Sequence, residues 1–359
     1  MNTIAKPYRS SDLVYCVDLA KNKFQIHTFA ARGECLARRT HNRTQFDTLF
    51  CKAHTPRGLI VMEACGSANH WARRYRERGY RVKLVPAQFV AKRRIGNKND
   101  GNDADAIYAV HTDPRVHAVP VKTLNQQDLC AWHCARERLV GQRTQCINQV
   151  RGLLAERGLV QGKGKTGLQA LLRQANETTN TEVTAALQHL VAIIAEQIDE
   201  LSVHIANIER QLKAALATSP VAQNLKTIFG IGVVTATAFA AETGANVQRF
   251  ADARQFAAGI GITPREASSG QTRRLGKITK RGNPYLRRLL VQCAQVIVNL
   301  RDKRDDVLCV LARRLFAMHK LRNTVIVAIA NHLARIVYAV IKHGKPYHPG
   351  GSHTPAIVA

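Results

Sequence analysis

Three short strand-like runs, Leu13 to Ala20, Lys23 to Ala30 and Glu34 to His41, follow one another with only turn-length breaks at Lys21-Asn22 and Arg32-Gly33. Runs so short and so closely spaced read as an antiparallel meander. A helix comes next, where Thr44-x-x-Asp47 resembles a capping box ahead of Phe46, Leu49 and Phe50. It is followed by an apolar strand from Gly58 to Ala64, a helix from Ala68 to Arg78 that Gly79 stops, and a fifth strand from Arg81 to Pro86. Two carboxylates interrupt this apolar framework: Asp18 on the first strand and Glu63 near the end of the fourth. An inward-facing carboxylate on a central strand is costly unless it is paired or metal-bound.

The order β-β-β-α-β-α-β-α is that of the ribonuclease H-like fold. A further acidic segment, Lys98-Asn-Asp100-Gly-Asn-Asp103-Ala-Asp105-Ala106, opens a helix. Asp100 and Asp103 are three residues apart and can face one point, whereas Asp105 falls on another side. Acidic residues at a helix start also complement the helix dipole and cap free amides, so this cluster alone reads either way. Together with Asp18 and Glu63 it forms a candidate oxygen-donor site for Mg²⁺ or Mn²⁺. A pair of such ions can stabilise both the attacking and the leaving oxygen of a phosphodiester displacement.

The charge balance gives that chemistry a substrate. Lys and Arg number 53 against 25 Asp and Glu, for a formal net charge of +28. Acidic residues are scarce and partners will be anionic, as suits a nucleic-acid backbone. With 45% hydrophobic residues the chain can bury a real core, which excludes a disordered basic tail and leaves room for two or three domains in 359 residues. No apolar run reaches the roughly 18 residues of a membrane span. The best candidate, Val325 to Ile341, is interrupted by Asn331, His332 and Arg335, and Met1 to Ser10 has no apolar signal core. A cytoplasmic protein without a membrane partner is expected. Nine cysteines, an odd count without repeated spacing, fit a reducing interior. Cys130, His133 and Cys134 share one helix face, but no nearby CxxC or HxxxH completes a zinc site, so a packed face is expected.

The chain reads as three parts: an N-terminal domain over 1–122, a helical hairpin over 123–218 and a mainly α carboxy-terminal domain over 219–359. Apolar residues recur at helical spacing through about 123–157 and again through 181–216, where Leu187, Leu190, Ile194, Ile198, Leu201, Ile205, Ile208 and Leu212 form a near-heptad seam. Gln161 to Gly167 reads as the loop between them; it does not match the GxxxxGK[ST] phosphate loop. An antiparallel coiled-coil hairpin that also joins subunits is expected, with Ile194 and Leu201 in the contact. In the third part, Leu225 to Phe229, Gly230-Ile-Gly232 and Val233 to Ala241 read helix, tight turn, helix. This resembles a helix-hairpin-helix, whose turn amides can hold a phosphate, and equally a plain helix corner. Downstream, Arg273, Arg274, Lys277, Lys280, Arg281, Arg287 and Arg288 crowd into a stretch from Ala267 to Arg301 without any acidic residue. A solvated face usually mixes signs, so this run is expected to meet nucleic acid.

Val17-Asp18-Leu-Ala-Lys21, Met62-Glu63-Ala-Cys-Gly66 and Lys98-Asn-Asp100-Gly-Asn-Asp103-Ala together resemble the RuvC-like DEDD motif of a class of bacterial insertion-sequence transposases, the bridge-RNA-guided recombinases. Gln255-Phe-Ala-Ala-Gly-Ile-Gly-Ile-Thr-Pro-Arg265, Ser269-Gly270 and Lys280-Arg-Gly-Asn-Pro-Tyr-Leu-Arg287 resemble the carboxy-terminal domain of the same class, so the likeness covers nearly the whole chain. The resemblance implies a RuvC-like catalytic domain with Asp18, Glu63, Asp100 and Asp103 as metal ligands. It implies that Ser269 is a nucleophile joining covalently to a DNA end; by chemistry alone Ser268 is not distinguished from it. It further implies donor and target DNA, a structured non-coding bridge RNA, a tetramer built as a dimer of dimers, and a place at the bacterial nucleoid. Two rival readings remain: a RuvC-like nuclease in which water attacks, and a non-catalytic nucleic-acid-binding protein.

Overall fold

The computed structural model describes residues 13–51, 55–94, 100–177, 182–244, 247–268, 272 and 274–349, with the backbone alone for Asp100 and Gly101. The chain divides into two compact units, Met1–Leu124 with Asn246–Ala251 and Asn125–Ala245 with Asp252–Ala359.

The first unit is a mixed α/β domain. Strands β1 (Val14–Leu19), β2 (Lys23–Phe29) and β3 (Cys35–Asn42) lead to α1 (Arg43–Leu49), β4 (Leu59–Glu63), α2 (Ala68–Glu77), β5 (Arg81–Val85), α3 (Ala87–Arg93) and α4 (Asp100–Thr112). The five strands lie in the order β3-β2-β1-β4-β5. The meander is antiparallel, while β4 pairs parallel with both β1 and β5. Both sheet faces are covered, which is why β1 and β4 read as nearly continuous apolar runs. Tyr15, Val17, Ile60 and Met62 join one core with Phe24, Phe46, Trp71 and Tyr75. Cys16 and Val61 join the opposite core with Phe29, Val85, Val90, Ala106, Ile107 and Val110. Side chains of period two thus assign every strand residue to the α1/α2 face or the α3/α4 face.

The cap of α1 differs from expectation. Asn42, not Thr44, is the cap: its Oδ1 accepts the Gln45 amide at 2.8 Å, and Gln45 Oε1 accepts the Asn42 amide at 2.9 Å. Asp47 turns away to α2, where Arg74 Nε and Nη2 each donate to it at 2.6 Å and Arg78 at 3.2 Å. The Arg74 hydrogen bonds hold its carboxyl below the usual range.

The second unit is helical apart from one small hairpin. It comprises α5 (Leu124–Ala155), α6 (Lys165–Ala175), α7 (Ala185–Thr218), α8 (Pro220–Lys226), α9 (Val233–Thr243), α10 (Ala253–Ile260), β6 (Pro264–Glu266), β7 (Leu275–Ile278), α11 (Pro284–Asn299), α12 (Val307–Ala317) and α13 (Arg322–His343). Arg136 reaches Glu209 at 2.6 Å, Arg143 reaches Ser202 at 3.3 Å, and Cys146 approaches Gln197 at 4.0 Å. Rising numbers on α5 meet falling numbers on α7, so the two long helices run antiparallel. Only part of the connection is a loop: Gly164, at φ +93°, ends it, and a helix begins at Lys165 inside the segment expected to be open. A Cβ on Gly167 would meet the Gly162 carbonyl oxygen at 1.8 Å, so glycine lets the loop fold back onto the first helical turn. The α7 seam is largely satisfied within the chain. Ile194, 4% exposed, packs with Val150, Leu154, Leu168 and Leu171 from α5 and α6, which removes it from the surface where a subunit contact was expected.

By length and composition, α13 is apolar enough to cross a membrane despite Asn331, His332 and Arg335. It is instead the core helix of its unit, with Val325, Ile329, Leu333, Val337 and Ile341 buried and α8, α10, α11 and α12 packed around it.

His133, on the face weighed for zinc, is 3% exposed and ties three helices together. Its Nε2 lies 3.1 Å from Thr237 Oγ1 and its Nδ1 lies 3.0 Å from Tyr285 Oη. Because the Thr237 hydroxyl donates to the Val233 carbonyl at 2.8 Å, Nε2 carries the proton and Nδ1 accepts from Tyr285. Burial first, and Arg136 second, push this imidazole down from 6.5 to about 4. The folded state therefore resists a proton that the unfolded chain accepts, and stability present above pH 6.5 is lost as pH falls toward 4. We expect His133→Gln to flatten this acid limb by on the order of 3 kcal/mol between pH 7.5 and 4.5. Chemical denaturation of wild type and variant across that range measures it.

Candidate functional site

Asp18 and Glu63 end two neighbouring parallel strands. The register runs from Val14 with Leu59 to Val17 with Met62, so the next step sets Asp18 beside Glu63. By the alternation fixed above, Asp18 shares the face of Cys16, and Glu63 that of Val61, which is the face covered by α4. Both are half-buried. The Cys65 thiol senses them: burial is the main cause that pushes it up, and the Glu63 and Asp18 charges push in the same direction.

The direction of α4 decides where Asp100 and Asp103 stand. Asp105 Oδ1 lies 2.7 Å from His27 Nδ1, and His27 is paired with Cys16. Three residues later Tyr108 stacks on Phe29, centroids 4.0 Å apart, and Phe29 is paired with Val14. The helix therefore runs toward the start of β1, and its amino terminus toward the end that carries Asp18. At 1.5 Å per residue, Asp103 is about 3 Å and Asp100 about 7.5 Å beyond the level of Asp105. The strand step of about 3.3 Å carries Cys16 to Asp18 over about 6.6 Å. Asp100 and Asp103 thus bracket the level of Asp18.

Asp103 is 7% exposed and its Oδ1 accepts from Arg94 Nε, at the end of α3. The Asp100 side chain lies outside the described residues. Asp105 turns to His27 and to Arg38, whose Nη2 is 3.1 Å from Oδ2. Among the described residues no three His, Cys, Asp or Glu side chains come close enough together to hold a metal ion. The donor set still suits Mg²⁺ or Mn²⁺ in kind, since it is made of carboxylate oxygens. Sequence reading missed Arg94, His27 and Gln25. Only the period-two alternation of β2, which puts Gln25 and His27 on the Asp18 face, gave a signal for the last two.

In the second unit, the glycine turn between α8 and α9 has two differently constrained residues. Gly230 has φ +86°, and a Cβ there would lie 2.7 Å from Ile297 Cγ1. Gly232 caps α9 with ordinary extended backbone and has no atom within 4 Å of where its Cβ would stand. The first glycine is needed for packing; the second leaves open space at a helix amino terminus.

Arg265, Arg274, Lys277, Lys280 and Arg281 are exposed on the β6–β7 hairpin and the turn that follows. Arg287 is engaged differently: its Nη1 donates at 2.9 Å to the carbonyls of both Ile260 and Arg281, bracing that turn against α10. Arg273 and Ser269 lie outside the described residues. Ser268 Oγ donates to Glu266 Oε1 at 2.8 Å and accepts the Arg274 amide at 3.2 Å, so its hydroxyl stitches the hairpin.

Two family models match this chain: a transposase model of the DEDD type over residues 16–157, and "Transposase IS116/IS110/IS902 family" over residues 222–307. A probable family 20 transposase of Pseudomonas aeruginosa is 39% identical, over 93% of this chain and 98% of its own. The transposase for insertion sequence element IS1328 of Yersinia enterocolitica is 35% identical, over 91% and 96%. The chain belongs to the IS116/IS110/IS902 family of transposases. The transposase for insertion sequence element IS1111A of Coxiella burnetii is 33% identical, over 93% of this chain and 91% of its own. Members of the family cut and rejoin DNA, which makes this chain a DNA transposase. The five-stranded mixed sheet and helical second unit are consistent with a nuclease-like DEDD fold. The first matched stretch contains all four candidate carboxylates; the second contains the glycine turn, the hairpin and the whole basic run.

The two glycines of this transposase are expected to behave unequally. Gly230→Ala should cost on the order of 1–3 kcal/mol through positive φ and overlap with Ile297. Gly232→Ala should stay within about 1 kcal/mol of wild type. Thermal unfolding of the two variants compares them directly.

Proposed function

We propose that this transposase has a ribonuclease H-like, specifically RuvC-like, first domain and exchanges DNA strands through a covalent link at Ser269, assisted by a divalent cation on Asp18, Glu63, Asp100 and Asp103. The observation that carries the reading is the parallel register of β1 with β4 up to Val17 with Met62, whose next step sets Asp18 beside Glu63 on the sheet face that α4 covers. In a chain of net charge +28, carboxylates set side by side repel each other and gain most from a bound cation. Mg²⁺ or Mn²⁺ held there would supply Lewis-acid polarisation of a phosphate oxygen.

The remaining work falls to the chain itself. The Ser269 oxygen forms a bond to phosphorus while one P–O ester bond of the DNA breaks; the serine proton leaves to a base and the departing sugar oxygen gains one. The reverse step, by a hydroxyl of the incoming strand, restores the serine. One ester replaces another, so no external energy source is required. Exposed Arg265, Arg274, Lys277, Lys280 and Arg281, together with Arg273, would stabilise the added charge on phosphorus and track the backbone, with Arg287 holding the turn after the hairpin. Gly230 and Gly232 would present turn amides to a phosphate. A structured bridge RNA of the element would supply sequence recognition, leaving backbone and shape to the protein.

Ser268 already spends its hydroxyl on Glu266 and Arg274, which favours its neighbour as nucleophile. Ser269→Ala should abolish strand exchange and the denaturation-resistant protein–DNA adduct, whereas Ser268→Ala should retain both; recombination by Ser269→Ala would transfer the reaction to water or a DNA hydroxyl. Asp18→Asn should abolish recombination and leave RNA binding nearly intact.

The reading includes the three-part division at 122/123 and 218/219 and a homo-oligomer, a tetramer built as a dimer of dimers. With Ile194 buried, the contact would use Leu190, Ile193 and Val203 of α7, exposed at 42%, 43% and 60%. Charged substitutions at Ile193 and Val203 should lower the mass seen by light scattering while Mn²⁺ binding persists. A strictly monomeric wild type, with and without nucleic acid, would overturn this part.

A further inference from the structure

On the α4 face of the sheet a line of polar side chains joins two strands, β2 and β3, to the helix. Thr40 Oγ1 on β3 donates to Gln25 Oε1 on β2 at 2.5 Å. Gln25 Nε2 lies 3.2 Å from His27 Nε2, and His27 Nδ1 lies 2.7 Å from Asp105 Oδ1 on α4. Arg38 of β3 closes the line on Asp105 Oδ2. With its carbonyl accepting from Thr40, Gln25 turns its amide nitrogen toward His27. His27 Nε2 is then the acceptor, and Nδ1 carries the proton given to Asp105.

This arrangement costs something that an apolar contact would not. His27 is 1% exposed, and its ring must keep both nitrogens partnered. Apolar side chains of similar volume would cover the sheet as well. What they would not supply is direction: Ala106, Ile107 and Val110 can slide along Cys16 and Val61, whereas a hydrogen bond between Asp105 and His27 fixes where α4 stops along its axis. A slip of one residue moves Asp100 and Asp103 by about 1.5 Å relative to Asp18. Displacements of about 1 Å are enough to spoil a reacting constellation. At the other end of the line, Gln25 is the register partner of Asp18. Directly opposite residues on antiparallel strands share a face with Cβ atoms about 5 Å apart. The second amide hydrogen of Gln25 therefore lies within reach of the Asp18 carboxylate.

We propose that Asp105, His27 and Gln25 are positioning residues of the transposase, setting the axial register of α4 and the orientation of Asp18 so that the four carboxylates converge. This rests on the reading that those carboxylates bind a divalent cation. The role resembles in kind the outer partners that orient ligands at metal sites.

Mn²⁺ binding to the full-length protein, followed by electron paramagnetic resonance and calorimetry, tests it without relying on catalysis. Asp105→Ala should weaken Mn²⁺ about tenfold or more, with an unchanged far-UV circular dichroism spectrum. Asp105→Asn, which keeps an acceptor for the His27 proton, should restore binding close to wild type. Gln25→Ala, a half-buried change that leaves the core alone, should weaken Mn²⁺ even if Asp105→Ala does not fold. Wild-type Mn²⁺ affinity in either alanine variant would overturn the corresponding arm of the proposal. Failure of Asp105→Asn to rescue a folded Asp105→Ala defect would overturn the hydrogen-bond argument. Asp18→Asn separates the two layers: if it binds Mn²⁺ as well as wild type, or if wild type binds none, the carboxylate reading itself is overturned and the positioning role with it.

Discussion

The parallel pairing of β1 with β4 is the contact on which the first domain depends. It is the point where the sheet changes from an antiparallel meander to parallel strands, and it is buried on both faces. Two strands that start together in register also end together, so Asp18 and Glu63 emerge side by side. An ordinary β-sheet would avoid two carboxylates side by side there, because turning either to the opposite face would break the alternation that buries Val17 and Met62. The apolar cores on either face thereby impose the juxtaposition.

Much of this was legible in the sequence. The strands carry period-two patterns, and a five-residue run such as Leu59–Glu63 is too short for a helix. What failed were choices settled by distant partners. Thr44-x-x-Asp47 and Asn42-x-x-Gln45 overlap as capping signals, and the tie is broken by Arg74 and Arg78, which draw Asp47 onto α2. His133 could be placed on a packed face, but its partners Thr237 and Tyr285 are 104 and 152 residues away. The β6–β7 hairpin, three and four residues long and mostly exposed, has no alternation for a pattern to detect.

The α7 seam shows a different limit. Its near-heptad period was legible, but a seam does not say which helix covers it. A loop of glycines between α5 and α7 looked like a bare connection, which would have left the seam open to a second subunit. The chain instead forms α6 there, and Leu168 and Leu171 cover Ile194 from within. Leu190 and Ile193 remain at the surface although Leu187, Val191 and Ile194 at the same level of α7 are buried, because they stand on another side of the helix; Val203, further along, is exposed as well.

The candidate site was legible in its residue types and not in its division of labour. Asp103 and Asp105 stand two positions apart in one acidic segment, and composition treats them alike. A helix turns about 200° over two residues, so they cannot serve the same partner. Asp103 lies along the stripe that continues through Ala106, Ile107 and Val110 into the core, and Asp100 begins the same stripe. Asp105 faces the β2–β3 side, where His27 of β2 and Arg38 of β3 meet it. One helix thus carries Asp100 and Asp103 along one stripe and, on another side, an Asp105 bonded to the sheet, and the helical period keeps the two positions separate.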